Sequence, residues 1–322
     1  MPRVVLGLAA MAAVAAVAGC RLDEVAAPAS ADVLVVEAVL RAGSPWQFVL
    51  LHRSVEGRHV RGEPGALVKV MDERGRSIVY RPTPLELCVL GSRQQWEAEG
   101  INLGASCYTS GLEDAYFVEP GLRYRLEVTT AGGAQAMGQT TVPGAFAYTS
   151  PRAPLRSPSL VADCRLPSTP FTLAWRRSEG AWAYVVSMQL QGFGDELRQQ
   201  GVSVPDPLEL TSVSVSAADT TLLFPANVGL FQRGEYDRRV FETLRGGLPP
   251  GTRATLVVLA TDRNYTNAIR GGRFHPSGNV RLSSVVGDAV GLFGSTVPLI
   301  IRSAPDNPVA CPDPLPPTAG AP

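Results

Sequence analysis

The thiols of five cysteines are the most chemically specific groups in this sequence of 322 residues. One lies at position 20, and the other four form an even set, as is usual for proteins that fold in an oxidising compartment: Cys88, Cys107, Cys164 and Cys311. No C-x-x-C spacing supports metal ligation, although metal binding or free thiols remain alternatives. The order along the chain favours two disulfides, Cys88–Cys107 and Cys164–Cys311.

Cys20 has a different setting from the other cysteines. It follows an apolar run over 4–17, a single early cation at Arg3 and the small pair Ala18-Gly19. The run is shorter than the roughly 20 residues that span a bilayer as a helix, and the layout is that of a secretory signal. The residues ending at Cys20 resemble a bacterial lipobox, which implies cleavage before Cys20 and lipid attachment to it. An ordinary signal peptide that contains a cysteine is the alternative.

This resemblance predicts a signal peptide over 1–19 and a lipidated tether over 20–31. It places the protein in the cell envelope, anchored to the outer membrane by lipid on either its periplasmic or its surface face. No later apolar run is long enough to span a bilayer. The formal net charge is zero, with basic and acidic residues scattered, and therefore nothing indicates a nucleic-acid partner.

Catalytic and metal-binding patterns are missing from the sequence. His52, His59 and His275 stand in unrelated contexts, and there is no H-E-x-x-H pair or G-x-S-x-G elbow. Adjacent acids such as Asp72-Glu73 and Asp195-Glu196 could hold calcium or serve a glycosidase, but loop acids are usually solvated. We predict no enzyme activity, no metal site and no cofactor.

Aromatic side chains are the better candidates for binding. Trp46, Trp96 and Tyr108 lie in or near predicted loops of the first half, where exposed rings would suit a glycan or a peptide. The alternative is that these rings are core residues, and Trp96, in the polar phrase QQWEAEG, is the one we expect to be exposed. Three other aromatics are assigned to the core of the second half: Trp175, Tyr184 and Phe293.

Strand-length runs separated by turns fill the segment 32–143, which is predicted to be a β-sandwich. In LRYRLEV, apolar residues from Leu122 to Val128 alternate with the polar Arg123, Arg125 and Glu127. Arg74-Gly75 and Gly132-Gly133 are typical of hairpin turns. The interval 82–111 has weak strand signals, so we predict a long loop pinned by a disulfide.

Prolines and serines over 144–167 indicate a linker. FTLAW, the strand around Tyr184 and LPPGTRATLVVLATD together resemble a fibronectin type III sandwich over 168–303. The segment 235–244 is ambiguous, because its apolar residues recur at helical spacing where a sandwich would place a strand. A Pro-rich tail follows over 304–322. The predicted fold is therefore all-β, with two tandem sandwiches, the first transthyretin- or immunoglobulin-like.

The whole pattern resembles domain of unknown function family 4249. VLVVEAVL, GALVKVMDERG and EPGLRYRLEV are similar to the family's opening strands. The family ends with a tyrosine-bearing segment, an F-x-x-P-x-N-V phrase and a G-x-F-G strand. The similar residues here are Tyr265, then Phe274, Pro276, Asn279 and Val280 in the spacing F-x-P-x-x-N-V, then Gly291, Phe293 and Gly294. The chain departs from the family in its cysteine-bearing 82–111 interval and at Ser283-Ser284-Val285.

The resemblance implies an outer-membrane lipoprotein that accompanies a TonB-dependent β-barrel receptor, and it carries no activity. We expect an accessory subunit that helps such a receptor to capture a nutrient. The alternative is a stand-alone surface adhesion or envelope-scaffold protein that binds a glycan or a peptide.

Overall fold

Strands dominate the chain because β-branched and aromatic residues recur in short alternating runs. The computed structural model describes residues 32–53, 59–88, 102–150, 160–199, 201–229, 237–270 and 283–311. Within these ranges the strands are β1 (Leu34–Arg41), β2 (Phe48–Arg53), β3 (His59–Gly62), β4 (Leu67–Asp72), β5 (Ser77–Thr83), β6 (Asn102–Gly104), β7 (Ser106–Thr109), β8 (Arg123–Thr129), β9 (Gln135–Thr141), β10 (Tyr148–Ser150), β11 (Val161–Asp163), β12 (Phe171–Trp175), β13 (Ala183–Gln191), β14 (Leu208–Val213), β15 (Thr221–Phe224), β16 (Arg253–Thr261), β17 (Val285–Gly287) and β18 (Ala289–Ser303).

Helices are few and short among the described residues. They are α1 (Leu85–Cys88), α2 (Phe193–Gln199), α3 (Asp237–Leu244) and α4 (Arg263–Arg270), with one 3-10 turn at Leu112–Asp114. The α3 helix resolves the ambiguous segment in favour of the helical spacing. The α2 helix lies in a segment for which no element was predicted from the sequence.

The alternation predicted in β8 is confirmed. Tyr124, Leu126 and Val128 are buried, whereas Arg123 and Arg125 are exposed on the other face. The β4–β5 and β8–β9 hairpins form as predicted. Gly75 and Gly133 take positive φ at their turns, with values of 85° and 86°.

Two sheets organise the described strands. The larger has the order β14-β13-β16-β18-β1-β2-β7-β5-β4-β8-β9-β17, with β3, β6 and β11 beside this path, and the smaller is β10-β12-β15. The β9 and β18 strands pack face to face, since a Cβ added at Gly138 would lie 2.8 Å from the Cβ of Phe293. The predicted all-β, sandwich-type fold is confirmed.

The long strand β18 joins the two halves of the chain. Its first part, 289–296, runs parallel to β1, and its second part, 296–303, is antiparallel to β16. It has 15 residues and is buried along nearly all of its length, so its sequence reads as a near-continuous apolar run. The sequence assigned this strand to the second sandwich alone.

The segments 32–143 and 168–303, which were predicted as two sandwiches, are joined by strand pairing. The β17 strand pairs with β9 of the first half, as β18 pairs with β1. The described residues from Asp32 onward form one compact unit. The two segments are therefore hydrogen-bonded to each other, because the 15-residue β18 is long enough to pair with β1 along its first part and with β16 along its second.

The interval 82–111 is also more ordered at its ends than predicted. The β7 strand lies between β2 and β5 in the large sheet, and α1 precedes the gap in the described residues. The short run SCYT was overlooked as a strand because four residues give too little alternation to recognise.

Both predicted disulfides form. Cys88 pairs with Cys107, and Cys164 pairs with Cys311 across a separation of 147 residues. The second bond lies in the core beside β11 and β18, where Cys164 and Cys311 are almost completely buried. Up to Cys311, the predicted Pro-rich tail is thus tied to the body of the protein.

Trp175, Tyr184 and Phe293 are buried, as predicted. Tyr184 accepts a hydrogen bond on its hydroxyl from the backbone N–H of Ser178, and Tyr124 accepts one from Glu119 in the same manner. Each half of the chain therefore has a tyrosine that fixes the loop before its own strand, like the tyrosine corner of β-sandwiches. No helix in the described ranges is long and apolar enough to cross a membrane.

Candidate functional site

An open cavity of about 390 Å³ lies where the two halves meet. Its lining comes from three segments that are distant in sequence: Arg123, Gln139, Thr140 and Thr141 of β8 and β9, Gly180 and Trp182 before β13, and Asp262, Arg263 and Asn264 at the start of α4. The cross-strand register sets Arg123 opposite Thr141, so these two side chains are neighbours on one face of the sheet.

Asp262 forms the floor of this site. It is the residue before α4, and its Oδ1 accepts a hydrogen bond of 2.8 Å from the backbone N–H of Tyr265. This is the geometry of a helix N-cap, in which a short polar side chain satisfies an otherwise unpaired N–H of the first turn. The segment folds locally in this way because aspartate is one of the preferred N-cap residues.

The same carboxylate also connects the halves of the chain. Its Oδ2 accepts a 2.6 Å hydrogen bond from the hydroxyl of Thr140 on β9, and Thr140 lies 2.7 Å from the hydroxyl of Ser295 on β18. All three residues are at most 5 % exposed. Burial raises the pKa of Asp262, and the hydrogen bonds from Thr140 and from backbone N–H groups offset that rise only in part.

Asn264 adds a second bridge between the segments. Its Nδ2 donates to the backbone carbonyls of Gln139 on β9 and Phe293 on β18, both at 2.8 Å. Gly294 makes room for this turn, since a Cβ at that position would lie 3.0 Å from the backbone nitrogen of Tyr265. The start of α4 is therefore held rigidly against both strands.

Trp182 and Arg263 form the wall of the cavity. The guanidinium carbon of Arg263 lies 5.1 Å from the centre of the Trp182 ring, within the range of a cation–π interaction. The backbone N–H of Trp182 donates to Thr261, which fixes the position of this residue. Trp182 remains 49 % exposed, and therefore a large part of its apolar surface faces solvent.

The charge at the cavity is unbalanced in favour of cations. Both oxygens of Asp262 are engaged inside the protein, whereas the side chains of Arg123 and Arg263 are exposed. Within the described part of the chain, neither guanidinium has a carboxylate in salt-bridge range. A solute that enters the cavity meets two cationic hydrogen-bond donors and a half-exposed indole.

These groups are suited to binding. The described lining contains no histidine, cysteine or lysine, and its single carboxylate is committed to structural bonds. Elsewhere among the described residues, no group of three or more acidic, histidine or cysteine side chains is arranged to hold a metal ion. Of the acid pairs noted in the sequence, Asp72 bonds to Arg76 and Asp195 to Arg198.

Tyr108 and Trp46, two of the aromatic residues predicted to bind a ligand, differ in their exposure. Tyr108 needs a correction: it is 1 % exposed, and its hydroxyl accepts from the N–H of Ala66 and donates to the carbonyl of Glu63. A ring enclosed in this way has no surface for a ligand. Trp46 is 45 % exposed in the β1–β2 loop, away from the cavity lining. Trp96, His275 and Cys20 lie outside the described residues.

Sequence reasoning missed the cavity, because no motif links its three segments. Thr261-Asp262 before an eight-residue helix was a readable N-cap signal. The exposure of Trp182 had no such signal, since a tryptophan next to a strand is usually a core residue.

Structural comparison gives only remote likenesses. A DUF4785 family protein from Legionella pneumophila aligns with 10% identity and a TM-score of 0.22, covering 69% of this chain and 51% of that one. Fibronectin(III)-like modules of Clostridium thermocellum CbhA align with 8% identity and a TM-score of 0.16, covering 84% and 90%. At these scores neither supports an argument. A search of curated protein sequences found no significant match.

Comparison with family models gives a more specific result. The model described as "Domain of unknown function (DUF4249)" matches residues 23–163. The matched segment contains the three opening phrases on which the sequence resemblance rests, and the closing phrases lie beyond it. The chain therefore carries a domain of the DUF4249 family over residues 23–163.

Proposed function

We propose that this protein acts by binding and not by catalysis, as a lipoprotein of the cell envelope that presents the cavity to a ligand. The observation that carries the proposal is that one charged side chain of the site makes structural hydrogen bonds while three other side chains remain exposed. Both carboxylate oxygens of Asp262 accept hydrogen bonds from the protein, while the side chains of Trp182, Arg123 and Arg263 are exposed. Ligand-binding sites are typically preformed cavities in which polar groups orient the ligand, and this cavity offers such groups beside one aromatic ring.

In this proposal, lipid on Cys20 anchors the chain to the outer membrane, on the periplasmic or the surface face. The partner is a TonB-dependent β-barrel receptor, and the protein is its accessory subunit in nutrient capture. The sequence ending at Cys20 and the DUF4249 domain support this assignment. The two disulfides agree with an oxidising compartment.

Extraction of the native envelope in mild detergent, followed by affinity purification and mass spectrometry, tests the partner. We expect a TonB-dependent barrel in stoichiometric amount with the wild-type protein and its loss with Cys20→Ala. Ala26→Ser, in the same N-terminal segment, is the matched control and should retain the barrel. A preparation without any barrel would show that the accessory-subunit proposal is wrong.

A stand-alone adhesion protein is the second candidate function. It is favoured by exposed apolar side chains on the outer face of the sheet that contains β4, β5, β9 and β17: Leu67, Val79, Met137 and Val286. Such a surface could contact another macromolecule without a barrel. Binding of the purified protein to whole cells or isolated glycans, in the absence of a receptor, would support this candidate.

A further inference from the structure

The cavity beside Trp182 has a composition that selects among ligand classes. This inference rests on the binding role proposed above and names the chemistry of the ligand. We propose that the cavity binds a carboxylate-bearing saccharide of about one or two sugar rings. The ligand's carboxylate would lie between Arg123 and Arg263, and a sugar face would pack on Trp182.

Charge is the first argument for an anionic ligand. Arg123 and Arg263 are exposed and have no carboxylate partner among the described residues, while Asp262 is buried with both oxygens engaged. The planar guanidinium group offers paired donors that match the two oxygens of a carboxylate. A cationic ligand would meet like charge here.

The form of the site favours a carboxylate over a phosphate. Phosphate sites commonly use free backbone N–H groups at a helix N-terminus. At α4 the Asp262 side chain already accepts from the N–H of Tyr265, and its carboxylate stands where an anion would otherwise bind. The cations available to a ligand are therefore side chains only, set on the exposed rim of the cavity.

Trp182 and the polar lining favour a sugar as the remainder of the ligand. The indole is half exposed, and Arg263 stacks on it and so restricts its orientation. An aromatic surface of this kind packs against the C–H face of a sugar ring, burying apolar area. Gln139 and Thr141 are exposed beside it and offer hydrogen-bond partners for hydroxyl groups.

The size of the cavity agrees with this class. Its volume of about 390 Å³ is at the lower end of the range for small-molecule sites, which is roughly 300–1,000 Å³. One or two sugar rings would fill such a space, and a longer polymer could continue through its open mouth.

Isothermal titration calorimetry on the mature lipidated protein in detergent tests the inference, with digalacturonate and its methyl ester as probes. The ester has the same rings without the negative charge. We expect the acid to bind about tenfold or more tightly than the ester. Equal affinity for the two probes, or no binding of either, would overturn the proposal.

Variants locate the binding. Arg123→Gln and Arg263→Gln should each weaken binding of the acid by about tenfold, whereas Arg123→Lys should retain part of it. Arg125→Gln is the matched control: this exposed guanidinium on the same strand pairs with Glu127 and does not line the cavity. Its affinity should stay within about twofold of wild type.

Trp182→Ala should weaken binding of acid and ester alike, and Trp182→Phe should retain most of it. Unchanged affinity in Trp182→Ala or Arg263→Gln would place any saccharide elsewhere and contradict the inference. Thermal melts of each variant separate loss of binding from loss of folding. Failure here leaves the envelope pull-down unaffected, because recovery of a barrel does not require a saccharide.

Discussion

The pKa values of two buried aspartates, Asp72 and Asp262, are shifted in opposite directions. At Asp72 burial raises the pKa, but the hydrogen bonds and the charge of Arg76 outweigh it, so that the net pKa is lowered. At Asp262 burial dominates and the net pKa is raised. The difference follows from the partner: Asp72 has a guanidinium, whereas Asp262 has only neutral donors.

We predict that Asp262 gives the protein an unusual pH dependence. Because its folded-state pKa is raised, the folded protein holds this proton more tightly than the unfolded chain does. Its contribution to the free energy of unfolding is largest below the ordinary pKa of 3.8 and is lost as the pH rises through the folded-state pKa. Urea unfolding of wild type and Asp262→Asn across acidic to neutral pH measures this difference.

The wild-type advantage over Asp262→Asn should therefore shrink with rising pH and then become constant. Thr140→Val removes the hydroxyl that stabilises the ionised carboxylate, so the same fall should extend to higher pH. An advantage that grows with pH would contradict the assignment. Asp262→Ala should show the same pH dependence and, in addition, lose about 1–2 kcal/mol with the N-cap.

Arg76 compensates the charge of a buried carboxylate. It bonds to the fully buried Asp72 carboxylate at 2.6 Å and to Glu119 at 2.6 Å. Arg76→Ala should lower the free energy of unfolding by about 2 kcal/mol, because it leaves a buried charge without its cation. The control is Arg81→Ala, which breaks an exposed pair with Glu113 and should cost under about 0.5 kcal/mol.

A double variant distinguishes pairing from packing in this experiment. If Asp72→Asn is made first, the cost of Arg76→Ala should fall by more than half, since the buried charge is gone. An unchanged cost would mean that Arg76 stabilises the protein mainly through its ion pair with Glu119 and its contact with Phe117. The guanidinium carbon of Arg76 lies 5.4 Å from the centre of the Phe117 ring.

Among the elements, β18 shows why the cavity escaped sequence reasoning. The alternation in β8 and the hairpin turns could be predicted because each depends on neighbouring residues, and the disulfides could be predicted from the order of four cysteines along the chain. The pairing of β18 with β1 and β16 depends on residues more than 200 positions and about 40 positions away, respectively. No local pattern encodes such partners. The cavity is likewise lined by three segments that are distant in sequence, so no local pattern predicts it.

Gly291 is the glycine of β18 with the least room for a side chain. Its φ is 144°, and a Cβ would overlap the carbonyl oxygen of Val36 on β1. Gly291→Ala should cost more than about 3 kcal/mol, because both the backbone strain and the clash with the neighbouring strand must be relieved. Denaturant unfolding measures the loss.

Gly133→Ala is the control for the strain alone. Gly133 has φ of 86° with nothing near its would-be Cβ, so the expected cost is about 1–2 kcal/mol. Similar losses in the two variants would show that the β1–β18 contact is not as close as the structure indicates.

At the scale of the whole molecule, strand pairing holds the halves together, because β18 pairs with β1 and β17 pairs with β9. The polar contacts of Asp262, Asn264 and Thr140 lie at the same junction. The candidate binding site thus lies on the seam between the halves. Its geometry depends on the folding of the entire chain, and not on either half alone.

The two disulfides should differ in their contribution to stability. Cys164–Cys311 closes a loop with a separation of 147 residues and Cys88–Cys107 one of 19. In the chain-entropy model they contribute roughly 5 and 3 kcal/mol. We predict that replacing Cys164 and Cys311 by Ala lowers the Tm more than replacing Cys88 and Cys107.

The variant without Cys164 and Cys311 should also expose the segment before position 311 to proteolysis, since the backbone hydrogen bonds of Arg165 to Val309 and to residue 311 would lose their covalent support. A larger loss of Tm in the short-loop variant would mean that loop closure is not what the long bond supplies.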